Sequence, residues 1–105
     1  LQREREEKER IERENKKREE NEIRNFTSLF MSASRLHQAN ILRDYIKTFE
    51  SNNKQNGIQS EEQKNLITWA KAKIEWYDPL INKEDPILND THKTAIFKEF
   101  IKEWQ

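Results

Sequence analysis

Cysteine is absent from this chain of 105 residues, glycine occurs once and proline twice. Without cysteine there are no disulfide frameworks, no thiol catalysis and no thiolate metal sites. So little glycine and proline leaves no glycine-rich phosphate loop, no dinucleotide fingerprint and no nucleophile elbow. No apolar run approaches the ~20 residues needed to cross a bilayer, and the charged N-terminus is unlike a signal peptide. Neither sign of charge dominates: Lys+Arg and Asp+Glu both count 20 and the formal net charge is zero. Such a chain has no bulk field with which to capture nucleic acid or an anionic membrane. The expectation is a cytoplasmic protein without a membrane partner. Residue 1 is Leu rather than Met, which points to a piece of a longer chain.

What the chain does have is charge, at 38% of residues, and it is unevenly placed. From Leu1 to Glu22 the only apolar side chains are Leu1 and Ile11, so this segment cannot bury a face. It consists almost wholly of Glu, Arg and Lys, which are good helix formers, and contains no glycine or proline. Glu4 to Lys8, Glu6 to Arg10, Glu9 to Arg13, Glu12 to Lys16, Glu14 to Arg18 and Glu20 to Arg24 sit at the favourable i,i+4 spacing. The segment is therefore read as a solvent-exposed single helix over 1–22, with a disordered charged tail as the alternative. A coiled coil would need apolar a and d positions through several heptads, and before Ile23 they are missing.

From Ile23 the pattern changes. Phe26, Leu29, Phe30, Ala33, Leu36, Ala39, Leu42, Tyr45, Ile46 and Phe49 recur at steps of three and four, which predicts an amphipathic helix over about 23–50, continuous with the charged one. Ser51 to Ser60 holds the single glycine and several asparagines and is read as a loop. Ser60 with Gln63 forms a capping-box pattern at the start of a second helix, about 61–77. Its buried side should carry Leu66, Ile67, Trp69, Ala70, Ile74 and Tyr77, and Pro79 should end it by disfavouring the helical conformation at Asp78. After a connection containing Asp85-Pro86, capped by Asn89 or Asp90, Ala95, Ile96, Phe97, Phe100, Ile101 and Trp104 predict a third helix over about 91–104. No segment alternates as a strand does. The expected fold is all-α: a long N-terminal charged helix whose distal half packs with two shorter helices into a small unit over 23–105.

Candidate chemistry is sparse. His37 and His92 have no second metal ligand at i+3 or i+4, and Ser34, His37 and Asp44 are too far apart along one helix to form a triad. Glu61 and Glu62 suit a helix N-terminus, Asp78 the turn before Pro79 and Asp90 a cap, so no carboxylate is left to do acid–base work. No enzyme activity, metal or cofactor is expected. Trp69 and Trp104 each accompany lysines, as nucleic-acid stacking platforms do, yet the segment 53–105 carries eight lysines against nine acids. Nucleic acid is the weaker reading, an accessory DNA-associated role at most. Three tryptophans, five phenylalanines and two tyrosines exceed what so small a unit can cover. Phe26, Phe30 and Met31, where the long helix leaves the core, and Trp76, off the apolar line of the second helix, are the candidate contacts for a protein partner or a second copy in a homodimer.

Leu42-Arg43-Asp44-Tyr45-Ile46 followed by Phe49-Glu50, then Trp69-Ala70 and Asp78-Pro79-Leu80, together resemble the C-terminal module of a widespread group of bacterial proteins. In that group a run of Arg and Glu leads into a helix reading roughly LR-x-YI-x-x-x-E, then a variable loop, a Trp-containing helix and a DPL ending. The likeness covers about residues 1–81. It departs from the group's pattern at Asn65-Leu66, where a first Trp is expected, and from Asn82 onward. It implies a C-terminal position in a longer cytoplasmic protein and names no reaction. The function expected is a non-catalytic module for protein interaction or self-association.

Overall fold

The computed structural model describes residues 1–57 and 59–103 as three helices, α1 (Gln2–Gln55), α2 (Glu61–Tyr77) and α3 (Asp90–Glu103). Among the described residues there is no strand, and the chain is all-α as its periodicity predicts. The expected packing of Trp104 lies outside the described residues. No helix among them is long and apolar enough to cross a membrane. Two compact units divide the chain, residues 1–33 and 34–105.

The first unit is a stretch of α1 alone. Its ion pair is Arg10 to Glu7, at 2.9 Å and i,i+3 spacing, and Arg24 donates to Asn21 at the same spacing. The i,i+4 pairs read from the sequence are not closed among the described residues. Long side chains that are mostly in water gain little by holding one geometry, so the helix rests on backbone propensity more than on fixed bridges.

The second unit has a core built from one heptad step on each of two helices. Ala39 and Ile46 of α1 meet Ile67 and Ile74 of α2, with Phe49 and Ala70 packed against them. Residues seven apart lie on one face of a helix, two turns on. Ala39 is fully buried, and its small side chain lets the two helices approach closely. The same step carries the buried face on to Asn53, which is also buried. That is why α1 does not stop at Glu50: the segment 51–55, expected as loop, is its last turn. Asparagine at the heptad position hid the continuing face from a hydrophobicity reading, and nothing before Gly57 forces a break.

Gly57 ends α1 with φ of +104°, its N–H reaching the Lys54 carbonyl at 3.4 Å. Ser60 and Gln63 then close the predicted capping box: the Gln63 N–H donates to Ser60 Oγ at 3.2 Å and the Ser60 N–H to Gln63 Oε1 at 3.0 Å. At the other end of α2, Asp78 takes an extended conformation, ψ 120°, while its N–H still donates to the Ile74 carbonyl.

The covered faces differ from the expected ones. Tyr45 and Trp69, placed on buried lines by periodicity, are 63% and 58% exposed, and Leu42 and Leu66 are also exposed. Trp76 is the opposite case, only 3% exposed. Helix α2 buries two faces. Ile67, Ala70 and Ile74 turn to α1, while Trp76, on the other side, lies beneath α3 with Lys93 Nζ 5.2 Å from its ring centre. Phe97, one turn beyond Lys93, is buried on that same face of α3.

Because a Cβ at Gly57 would meet nothing within 4 Å, Gly57→Ala isolates the backbone cost of its positive φ. The substitution is expected to lower stability by about 1–3 kcal/mol in urea titration, without a change in the folded spectrum.

Candidate functional site

Four side chains were singled out for partner contact, and they fall into two environments. In the first unit Phe26 and Phe30, one turn apart, set their ring centres 6.3 Å from each other at an interplanar angle of 46°. They are 64% and 66% exposed, and Ile23 and Leu29 beside them are exposed to the same degree. Met31 is half-buried. Spacings of three and four put Ile23, Phe26 and Phe30 on one stripe, so these residues form a continuous apolar strip along the helix. Scattered apolar side chains are ordinary on a surface, but a contiguous strip with two aromatic rings is a recognition feature.

Trp76 does not belong to such a strip. It is expected at the surface because it lies off the Leu66–Trp69–Ala70–Ile74 line, but of that line only Ala70 and Ile74 turn to α1, and α2 buries a second face. Trp76 stacks at a tilt against Tyr77, 6.3 Å between centres, and is covered by Lys93. It is a core residue of the α2–α3 contact.

The titratable groups of the second unit are engaged in holding elements together. Arg43 of α1 pairs with the buried carboxylate of Asp78, whose other oxygen accepts the Leu80 N–H at 2.8 Å. Arg35 donates to the Tyr77 carbonyl at 2.6 Å and lies 5.0 Å from the centre of that tyrosine's ring. The Tyr77 hydroxyl donates to Gln38. Burial pushes this hydroxyl's pKa up, with the Arg35 charge working against the shift. Lys73 of α2 donates to both carboxylate oxygens of Asp85 at 2.7 Å, and Asp85 also accepts the N–H groups of Ile87 and Leu88.

These contacts set the carboxylate pKa values. Asp85 is lowered to about 2, first by its bond to Lys73 and then by the Leu88 amide. Asp78 is lowered overall: desolvation acts upward and is the largest single influence, and Arg43, the Leu80 amide and Arg35 together exceed it. Glu50 and Glu75 are lowered by Lys71 and Lys83. Each acid is held ionised by a neighbour on another element, the opposite of what a general acid needs. Among the described residues no three of His, Asp and Glu converge as a metal site would require.

The placement of Arg43 and Asp78 also gives a physical account of the motif residues. The arginine of the Leu42–Ile46 run and the aspartate of the Asp78–Leu80 turn are partners in one ion pair. No family model, no curated protein and no solved structure matches the chain. A functional reading must therefore come from its own surface, and the strip around Phe26 and Phe30 is an apolar feature that no second element of its unit covers.

Trp76→Ala is expected to cost about 3–5 kcal/mol in urea unfolding, whereas Trp69→Ala, at an exposed position, should cost well under half as much. The carboxylates give the acid dependence. Their ionised forms are stabilised by folding, so their contribution is complete above the ordinary carboxylate range, from about pH 5, and is lost as pH falls toward about 2, where Asp85 protonates in the folded chain. Asp85→Asn should lower stability at neutral pH and flatten this acid limb, which thermal unfolding at a series of pH values would measure.

Proposed function

We propose that this chain is a non-catalytic helical module for protein interaction or self-association, part of a larger cytoplasmic bacterial protein. The observation that supports this reading is the exposed strip Ile23–Phe26–Leu29–Phe30, in a unit with no second element of its own to cover it. Aromatic side chains carry a large share of the energy in protein interfaces, because each buries much area at the cost of few torsions. The zero net charge favours the same reading, since two copies, or a copy and a neutral partner, meet without a repelling field. The charged face around the strip would keep the helix hydrated until a partner is met. The candidate set for contact is accordingly Phe26, Phe30 and their neighbours Ile23 and Leu29, without Trp76.

Light scattering over a tenfold range of concentration at physiological salt tests the self-association arm. A mass above that of one chain, reduced to one chain by Phe26→Ala with Phe30→Ala, is the expected result. If the mass is that of one chain throughout, a nuclease-treated pull-down should retain a protein that the double variant loses. Both substitutions keep the helix, alanine being the better helix former, so circular dichroism and melting should be unchanged. Equal association by wild type and double variant would overturn the assignment.

A further inference from the structure

Helix α3 starts on a second capping box, and its third residue is a histidine. The Asn89 side-chain oxygen accepts the N–H groups of Thr91 at 3.0 Å and His92 at 3.4 Å, and its carbonyl accepts the His92 N–H at 3.0 Å. In return His92 Nδ1 accepts the Asn89 N–H at 3.0 Å. Of the two cap positions the sequence allowed, Asn89 is the one used. The reciprocal arrangement is the one that Ser60 and Gln63 make at α2, with an imidazole in place of the amide.

The exchange of amide for imidazole changes the chemistry. A glutamine oxygen accepts at any pH. The Nδ1 lone pair exists only on the neutral ring, with its proton on Nε2. When the ring takes a second proton both nitrogens become donors, the Asn89 N–H loses its acceptor, and a positive charge stands at the positive end of the helix dipole. We propose that His92 is a pH-sensitive latch on the N-terminus of α3, closed by the neutral imidazole and released by protonation.

The surrounding charges leave the ring to this role. On α3, Asp90 is taken by Lys93 at 3.0 Å. In the connection, Asp85 is taken by Lys73 of α2, and Glu75 of α2 is taken by Lys83. Glu84 is the remaining acid of that connection. The release has a structural consequence one residue further on. Lys93 covers Trp76, so loosening the first turn of α3 uncovers a side chain that is otherwise buried.

Nitrogen-15 NMR of the whole chain, with amide exchange read as pH-corrected protection, tests the latch. At neutral pH the His92 ring should carry its proton on Nε2. Protection of the Asn89 and Thr91 amides should fall roughly two- to fivefold as the imidazoles protonate, the loss that corresponds to one helix cap. His92→Gln should hold that protection constant over the same range, while His37→Gln, at the exposed histidine of α1, should fall as wild type does. A neutral ring carrying its proton on Nδ1 would overturn the proposal, and so would the same fall in His92→Gln.

Discussion

The carboxylate of Asp78 is the point on which the second unit depends. Three requirements meet there. Helix α2 must end, since Pro79 follows; the chain must turn toward α3; and the end of α2 must be held against α1. One oxygen of Asp78 binds Arg43 of α1, the other accepts the Leu80 N–H that begins the turn, and the residue's own N–H completes the last helical bond. A buried acid without partners would cost more than the contact returns, so its burial is tolerable only because every one of these bonds is made. Arg35 reinforces the same corner by holding the neighbouring Tyr77 carbonyl and lying over the tyrosine ring. This corner fixes the relation of α1 to α2 at one end, and the alanine and isoleucine contacts fix it along their length.

A domain this small has few apolar side chains to bury, and the buried ones among the described residues are Ala39, Ile46, Ile67, Ile74, Trp76, Tyr77 and Phe97. Small cores of this kind leave little margin. Charge pairs on the closing segments supply positional order that the core alone would not. Lys73–Asp85 orders the connection after α2, with two backbone amides sharing the same carboxylate, and it delivers the chain to the Asn89 cap. The helix that follows is then placed over Trp76. Polar order in the connection and apolar burial beneath α3 are thus two parts of one arrangement.

The sequence was most legible where local chemistry decides structure. Ser60 and Gln63 announced the start of α2, Asp78-Pro79 its end, and the scarcity of glycine and proline the length of α1. It was least legible where a helix has two neighbours or a polar residue takes a core position. Asn53 continues the Ala39–Ile46 face but carries an amide, so the periodicity seemed to end early. Trp76 and Trp69 differ widely in exposure, 3% against 58%, although both lie on the side of α2 turned away from Ile67 and Ile74. Only the course of the chain after Pro79 decides which of the two is covered. Arg43 and Asp78 were visible as motif residues, but their pairing joins positions far apart in the chain, and no local rule reports it.

The first unit invites a different kind of argument. A helix with no second element in its unit gains nothing from an apolar face, and it is held by propensity and by side-chain pairs one turn apart. Glu, Lys, Arg and Ala serve that purpose best, and most of residues 2–22 are chosen from them. Ile23, Phe26 and Phe30 are poorer helix formers, expose apolar area to water and cover nothing within their unit. Local stability would be served better by almost any charged residue at these places. Side chains that work against the segment carrying them agree with the contact role proposed for the strip, in which two aromatic rings one turn apart meet an apolar surface beyond the helix.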